Sequence, residues 1–218
     1  RIRLGSLEPC FITDETVARM KNLRCLCHQF HLSLQSGSAK ILKLMRRRYT
    51  PAEYEVAVWK LREAFCDVAV TTDIIVGFPG EDPADFNDSF SFAESMELAK
   101  IHVFPYSVRE GTAAAGFPNR VSPKEIAERA EKMNELAKYL EYRFLQRQLG
   151  KRRRVLVEKT DGFIFEGHTE NYVPVRGIRQ QNEKNAVLPE IRENDIVEVE
   201  IIGEKTFFCL GQVVDQPQ

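Results

Sequence analysis

Between residues 2 and 150 short apolar β-type runs alternate with helical segments, and the helix starts are spelled out residue by residue. Thr50-Pro51-Ala52-Glu53, Asp82-Pro83-Ala84-Asp85 and Ser122-Pro123-Lys124-Glu125 share one order. A side chain caps free N–H groups, proline takes the first helical position where no donor is needed, and an acid follows at the third. Thr13 and Ser38 are further caps, predicting helices over about 14–22 and 39–47. In the last helix Ile126, Ala130, Met133, Ala137, Leu140 and Phe144 recur at spacings of three and four, one buried stripe that Gly150 brings to a stop. The predicted strands are Ile2–Leu4, His31–Leu34, Val68–Val76 and Ile101–Phe104. Strand–helix alternation with near-continuous apolar strands means a parallel sheet covered by helices. Four such units fall short of a closed eightfold barrel, which takes about 250 residues. The expected fold class is therefore α/β, an open sheet or a partial (β/α) barrel over residues 1–150.

After Gly150 the pattern changes to short strands without helices: Val155–Val157, Ile164-Phe165, Tyr172-Val173, Val187-Leu188, Ile196–Ile202 and Phe207–Leu210. Val197, Val199 and Ile201 alternate with Glu198 and Glu200, the period of a half-buried strand. A small antiparallel β-barrel is expected over 151–218. The chain opens on Arg1 inside a β-type run, which reads as a piece of something longer.

Composition narrows the function classes. With 43% hydrophobic and 29% charged residues the chain is not of disordered type. No run approaches the roughly 20 apolar residues of a membrane span. A net charge of −1 gives no bulk attraction to polyanions, so any nucleic-acid site must be a local patch. Five irregularly spaced cysteines fit reduced thiols in a cytoplasm better than a disulfide framework.

Ligands of parallel α/β sheets bind beyond the carboxyl ends of the strands. Here those ends read Ser6-Leu7-Glu8-Pro9, Gln35-Ser36-Gly37-Ser38, Gly77-Phe78-Pro79-Gly80-Glu81 and Pro105-Tyr106-Ser107, a polar, glycine-rich rim. Asp73 lies among apolar neighbours near the third strand's end, where a carboxylate is costly unless paired. Arg46-Arg47-Arg48 offers a clamp for a carboxylate or phosphate, or simply complements a helix C-terminus. Cys25-Leu26-Cys27-His28 and His31 are metal-type residues, but Cys-x-Cys is not a usual zinc pair and no second pair follows, so no metal site is expected. Arg152, Arg153 and Arg154 belong to the densest basic cluster, at the domain junction, and in the small domain Arg176 and Arg179 are interspersed with aromatics, the composition of a single-strand RNA surface, though acids balance the bases.

Taken in order, His31–Ser38, Leu42–Thr50, Thr72–Glu81 and Phe104–Thr112 resemble the radical S-adenosylmethionine methylthiotransferases, and the terminal barrel resembles their TRAM domain. Around Ser6-Leu7-Glu8-Pro9 the chain looks most like the branch acting on threonylcarbamoyladenosine beside the tRNA anticodon. The resemblance implies that Gln35 and Ser36 sit by the ribose and methionine part of S-adenosylmethionine, and that Arg47 clamps its carboxylate. It implies that Asp73 is a polar contact, that Ile75 to Gly77 line the adenine, that the backbone around Phe104 pairs with the adenine edge, and that Ser6 and Glu8 complete the rim. It also implies 4Fe-4S clusters, an electron-donor protein and tRNA as partners, and no membrane. The family's Cys-x-x-x-Cys-x-x-Cys loop is not in this sequence, so the chain by itself is expected to be inactive. Other readings are the branches acting on isopentenyladenosine or on a ribosomal protein, and a non-catalytic RNA-binding module.

Overall fold

The computed structural model describes residues 1–178 and 190–214, arranged in two compact units. One consists of Arg3–Cys25 and Gln29–Glu141, the other of Arg1–Ile2, Leu26–His28 and Tyr142 onward.

The first unit is built on four parallel strands in sequence order: β1 (Ser6–Leu7), β2 (Gln29–Leu32), β3 (Ala69–Val76) and β4 (Lys100–Pro105). The helices that join them are α1 (Asp14–Lys21), α2 (Ala39–Leu44), α3 (Pro51–Ala64) and α4 (Pro83–Ser95); α5 (Pro123–Gln146) follows β4. This is the expected α/β layout. Thr13, Ser38, Thr50 and Asp82 cap their helices, and complete capping boxes close α3 and α4. Ser122 and Glu125 bond reciprocally at the start of α5. The buried stripe of α5 holds Ala130, Met133, Ala137, Leu140 and Phe144.

Two strand expectations move. Ile2–Leu4 is not a strand: Ile2 makes one isolated bridge to Leu26, and β1 forms instead at Ser6–Leu7. The β2 strand lies two residues earlier than expected because the chain bulges after Leu32.

Alternation along the strands gives the sheet two unlike faces. Phe30, Leu32, Ile74, Val76 and Ile101 are buried, and Tyr54 of α3 reaches the Leu32 carbonyl from that side. The other face carries Gln29 and His31, then Thr71, Asp73 and Ile75, then His102 and Phe104.

The second unit contains a closed barrel, β5 (Arg152–Thr160), β6 (Ile164–Thr169), β7 (Pro174–Ile178), β9 (Phe208–Val213) and β8 (Ile196–Lys205), in that spatial order. Closure leaves no free sheet edge. The expected all-antiparallel pairing is corrected in one place, since β7 and β9 run parallel. The strand expected at Tyr172-Val173 starts at Pro174, because Tyr172 sits in a turn with φ of +62°. The strand expected at Val187-Leu188 lies outside the described residues, as does Arg179. Gly177 faces Phe165: a Cβ there would come within 2.0 Å of the ring, so only glycine lets the aromatic fill the barrel.

A buried ion pair holds the turn after β3. Glu81 accepts from the Gly77 N–H at 2.8 Å and from Arg129 of α5 at 2.7 Å. Gly77 has φ of +76°, and a Cβ on it would meet Ile126 at 2.4 Å, so the chain passes against α5. Burial pushes the Glu81 carboxyl up, while the Gly77 and Arg129 hydrogen bonds pull it down. Removing one member of such a pair strands the other. Arg129→Met is expected to destabilise the first unit by about 3–5 kcal/mol, read as a lowered urea midpoint; an unchanged midpoint would show that the pair does not support this turn.

Candidate functional site

The ladder between β2 and β3 is regular up to His31 opposite Thr71 and resumes as a bridge between Gln35 and Ile74. Four residues are thus spanned on one strand and three on the other, a β-bulge with one extra residue. Thr72 fills the gap. Its hydroxyl donates to the Leu32 carbonyl and accepts from the Leu34 N–H at 2.9 Å. Gln35 then takes φ of +67°, bonding Asp73 and Ile75 through its backbone.

The bulge brings Gln35, Asp73 and Ile75 together with Phe78, Phe104, Tyr106, Arg109 and Thr112 around a cavity of about 460 Å³. A second cavity of about 580 Å³ shares Ile75, Phe78 and Thr112, and adds Glu8, Arg47 and the chain from Leu44 to Arg48. Together they form a groove along the carboxyl ends of the strands. One end is charged, with Arg47 Nη1 3.3 Å from Glu8 Oε1. The middle is apolar, with Phe78 edge-on to Tyr106 at 5.3 Å between ring centres.

Of the residues singled out in the sequence, Glu8, Gln35, Arg47, Asp73, Ile75 and Phe104 line the groove. Ser36 does not. Its hydroxyl is buried and bonds Ser89 of α4 at 2.9 Å and the Ser38 N–H. Gly37 lies so close to α4 that a Cβ would meet Ser89 and Phe92 at 2.8 Å. Ser38 caps α2 and donates to Asp85 at 2.7 Å. Lys40 bridges Asp82 and Asp85, and its hydrogen bond holds the Asp82 carboxyl down to about 2. Ser36-Gly37-Ser38 therefore fastens two helix starts, and only Gln35 of that motif reaches the groove. Gly77 serves the turn described above, and Ser6 is exposed on β1 outside the groove lining. Phe78 and Thr112 stand within the rim and motif stretches quoted from the sequence but had no role assigned there; both line the groove.

In the barrel Arg152 pairs in register with Glu200, and Arg154 with Glu198, so acids stand opposite these cations. Arg153 bonds Gln148 at 2.8 Å. Arg176 pairs with Glu166 and lies 5.2 Å over the Phe208 ring. That stack borders a cavity of about 290 Å³, with Phe207 exposed beside it.

Residues 4–93 match the Radical SAM superfamily model. Over 208 residues the chain is 36% identical to a threonylcarbamoyladenosine tRNA methylthiotransferase MtaB of Chlamydia pneumoniae, covering 94% of this chain and 48% of the relative. Over 174 residues it is 38% identical to a tRNA-2-methylthio-N(6)-dimethylallyladenosine synthase of Caldicellulosiruptor saccharolyticus, covering 78% of this chain and 36% of the relative. The chain spans at most about half the length of these curated relatives. Among solved structures, the radical SAM coproporphyrinogen III oxidase of Escherichia coli aligns with a TM-score of 0.49 at 14% identity, covering 71% of this chain and 33% of that one.

A radical SAM domain implies S-adenosylmethionine and 4Fe-4S clusters. The groove fits the first: it has an ion pair at one end, an apolar wall, and amide and carboxylate side chains between. The described residues do not fit the second. Cys27 and Cys209 are buried, burial pushing the Cys209 thiol up to about 11, and no three cysteines converge.

The bulge is the geometric origin of the groove, and it has a direct test. Thr72→Val leaves the Leu34 N–H buried without its acceptor, at an expected cost of about 1–3 kcal/mol. Amide exchange at Leu34 and Ile75 should accelerate, while Thr72→Ser keeps both protected; slow exchange in the valine variant would remove the hydroxyl from this role.

Proposed function

From the match of residues 4–93 to the Radical SAM superfamily model and the 36–38% identity over most of the chain to tRNA methylthiotransferases, we propose that the chain supplies the S-adenosylmethionine groove and an RNA-binding barrel of such an enzyme. The reaction is addition of a methylthio group to C2 of an adenosine beside the tRNA anticodon, and the substrate is the threonylcarbamoyl-modified base. The observation that carries this reading is the charged and apolar layout of the groove, in a chain 36% identical over 208 residues to an enzyme named for that substrate.

Bound S-adenosylmethionine supplies the methyl group of the product. The residues of this chain hold it by exchanging partners. Its amino-acid end carries a carboxylate and an ammonium, and the groove's end carries Arg47 and Glu8 at 3.3 Å. The guanidinium would turn to the carboxylate, which its planar fork of donors suits. Glu8 would then accept from the ammonium. The pair thus stays charge-balanced with and without its guest, and neither partner is left as an uncompensated ion. Ile75 and Phe78 give the adenine an apolar wall, and Gln35 and Asp73 offer acceptors to ribose hydroxyls. A 4Fe-4S cluster would supply the electron and would be held by thiolates, which the described residues do not bring together; a donor protein would reduce it.

On the barrel, Arg176 stacked on Phe208 beside the exposed Phe207 gives an unpaired base a flat face and gives its phosphate a cation. This closed five-stranded unit is the TRAM domain of the proposed enzyme, which works on tRNA in the cytoplasm. No described helix is long and apolar enough to cross a membrane.

Two measurements bear on this. In the whole protein, Arg47→Ala should weaken S-adenosylmethionine binding at least tenfold by calorimetry without altering the circular dichroism spectrum; undiminished affinity removes the clamp. Deleting the encoding gene should abolish the 2-methylthio form of threonylcarbamoyladenosine in tRNA nucleosides examined by mass spectrometry. Loss of the dimethylallyl counterpart instead would reassign the substrate, and unchanged tRNA would reject the tRNA reading.

A further inference from the structure

On the polar face of the sheet, one side-chain row before Ile75 and Phe104, three side chains from consecutive strands converge. His31 of β2, Asp73 of β3 and His102 of β4 each offer a ligand atom, and all three atoms lie within 4.8 Å of one another. Asp73 and His102 are direct partners across the ladder, whereas His31 is paired with Thr71, one row away. Its ring must lean forward to reach the carboxylate, and Nε2 lies 3.3 Å from Asp73 Oδ2.

The lean is held from behind. His31 Nδ1 is 3.1 Å from Thr71 Oγ1, and Thr71 accepts from Gln29 Nε2 at 3.0 Å. Arg3 Nε in turn donates to Gln29 Oε1 at 3.1 Å. A chain of hydrogen bonds thus fixes one ring nitrogen and aims the other at the carboxylate. Ligating histidines are typically held this way, by a bond to the nitrogen that does not bind the metal. The rings of His31 and His102 are tilted by 40° with centres 6.1 Å apart, so they do not stack on each other.

We propose that His31, Asp73 and His102 form a binding site for a divalent transition-metal ion, separate from any iron–sulfur cluster. Three donors about 2.0–2.2 Å from one ion stand roughly 3.4 Å apart in a tetrahedron, so small side-chain rotations close the observed spacing. Two imidazoles and one carboxylate select borderline ions such as zinc, cobalt, nickel or ferrous iron over magnesium or calcium, which take all-oxygen sets. Three protein ligands leave a position open. Asp73 also lines the groove, which places the trio at the groove's wall. With an ion bound, His31 Nδ1–H donates to Thr71 Oγ1, which has a second lone pair for it beside the Gln29 bond.

Cobalt(II) is the probe, titrated into the full chain and read by visible absorption. The expected result is one tightly held ion per chain with nitrogen and oxygen ligand-field bands and no thiolate-to-metal charge transfer. His102→Ala, on an exposed ring, should keep the fold by circular dichroism and lower affinity more than tenfold. Thr71→Val, which removes the bond that steadies His31 together with the acceptor of Gln29 Nε2, should keep the fold by circular dichroism and lower affinity about 10–100-fold. A chain that takes up no cobalt overturns the proposal. So does a spectrum dominated by thiolate transitions, or uptake that survives His102→Ala; in either case the trio is an ordinary histidine–carboxylate pair with a neighbour.

Discussion

One threonine hydroxyl stands where the ladder between β2 and β3 is interrupted. The extra residue between Leu32 and Gln35 leaves backbone groups without strand partners, and in a buried setting such groups cost free energy unless they are bonded. Thr72 satisfies the Leu32 carbonyl and the Leu34 N–H together. Tyr49 adds a bond to the Leu34 carbonyl, and burial pushes its phenol up to about 12. With the bulge held in this way, Gln35 leaves the strand in a left-handed conformation, and the end of β2 opens into a groove.

The motif residues divide between holding and facing. Ser36, Gly37 and Ser38 press against α4, and Gly77 and Glu81 press against α5. Gln35 and Phe78, which alternate with them in sequence, face the cavities. Each of these two turns of the rim thus does two jobs through neighbouring residues. Close backbone approach to a helix requires glycine, and the residue beside it is thereby placed with little freedom. The same economy appears at the charged end, where Glu8 and Arg47 neutralise each other across two elements.

Much of the fold was legible. Capping side chains, proline at the first helical position and an acid at the third fix helix starts locally, and Thr13, Ser38, Thr50, Asp82 and Ser122 all behave as read. Strand limits were less so, because a strand ends where its partner ends. Ile2–Leu4 has apolar character but finds only Leu26 to bridge. In the barrel, alternation identified β8, but nothing local tells that β7 and β9 pair in parallel, since that depends on how the chain returns to close the circle. The basic run at Arg152–Arg154 looked like an anion surface, and only strand register put Glu198 and Glu200 opposite it.

The site shows the same division. Sequence determined which chemistries are present: an arginine cluster, a carboxylate in an apolar strand, amides and small residues at strand ends. These are properties of single residues and their near neighbours. Tertiary structure decided which of them meet. His31, Asp73 and His102 are far apart in sequence and gave no spacing signal, yet adjacent parallel strands with one side-chain alternation bring them to a single point. Ser36 looked like a ligand residue and is enclosed by α4. Proximity across a sheet is set by register, and register is fixed by the pairing of whole strands rather than by any short run of residues.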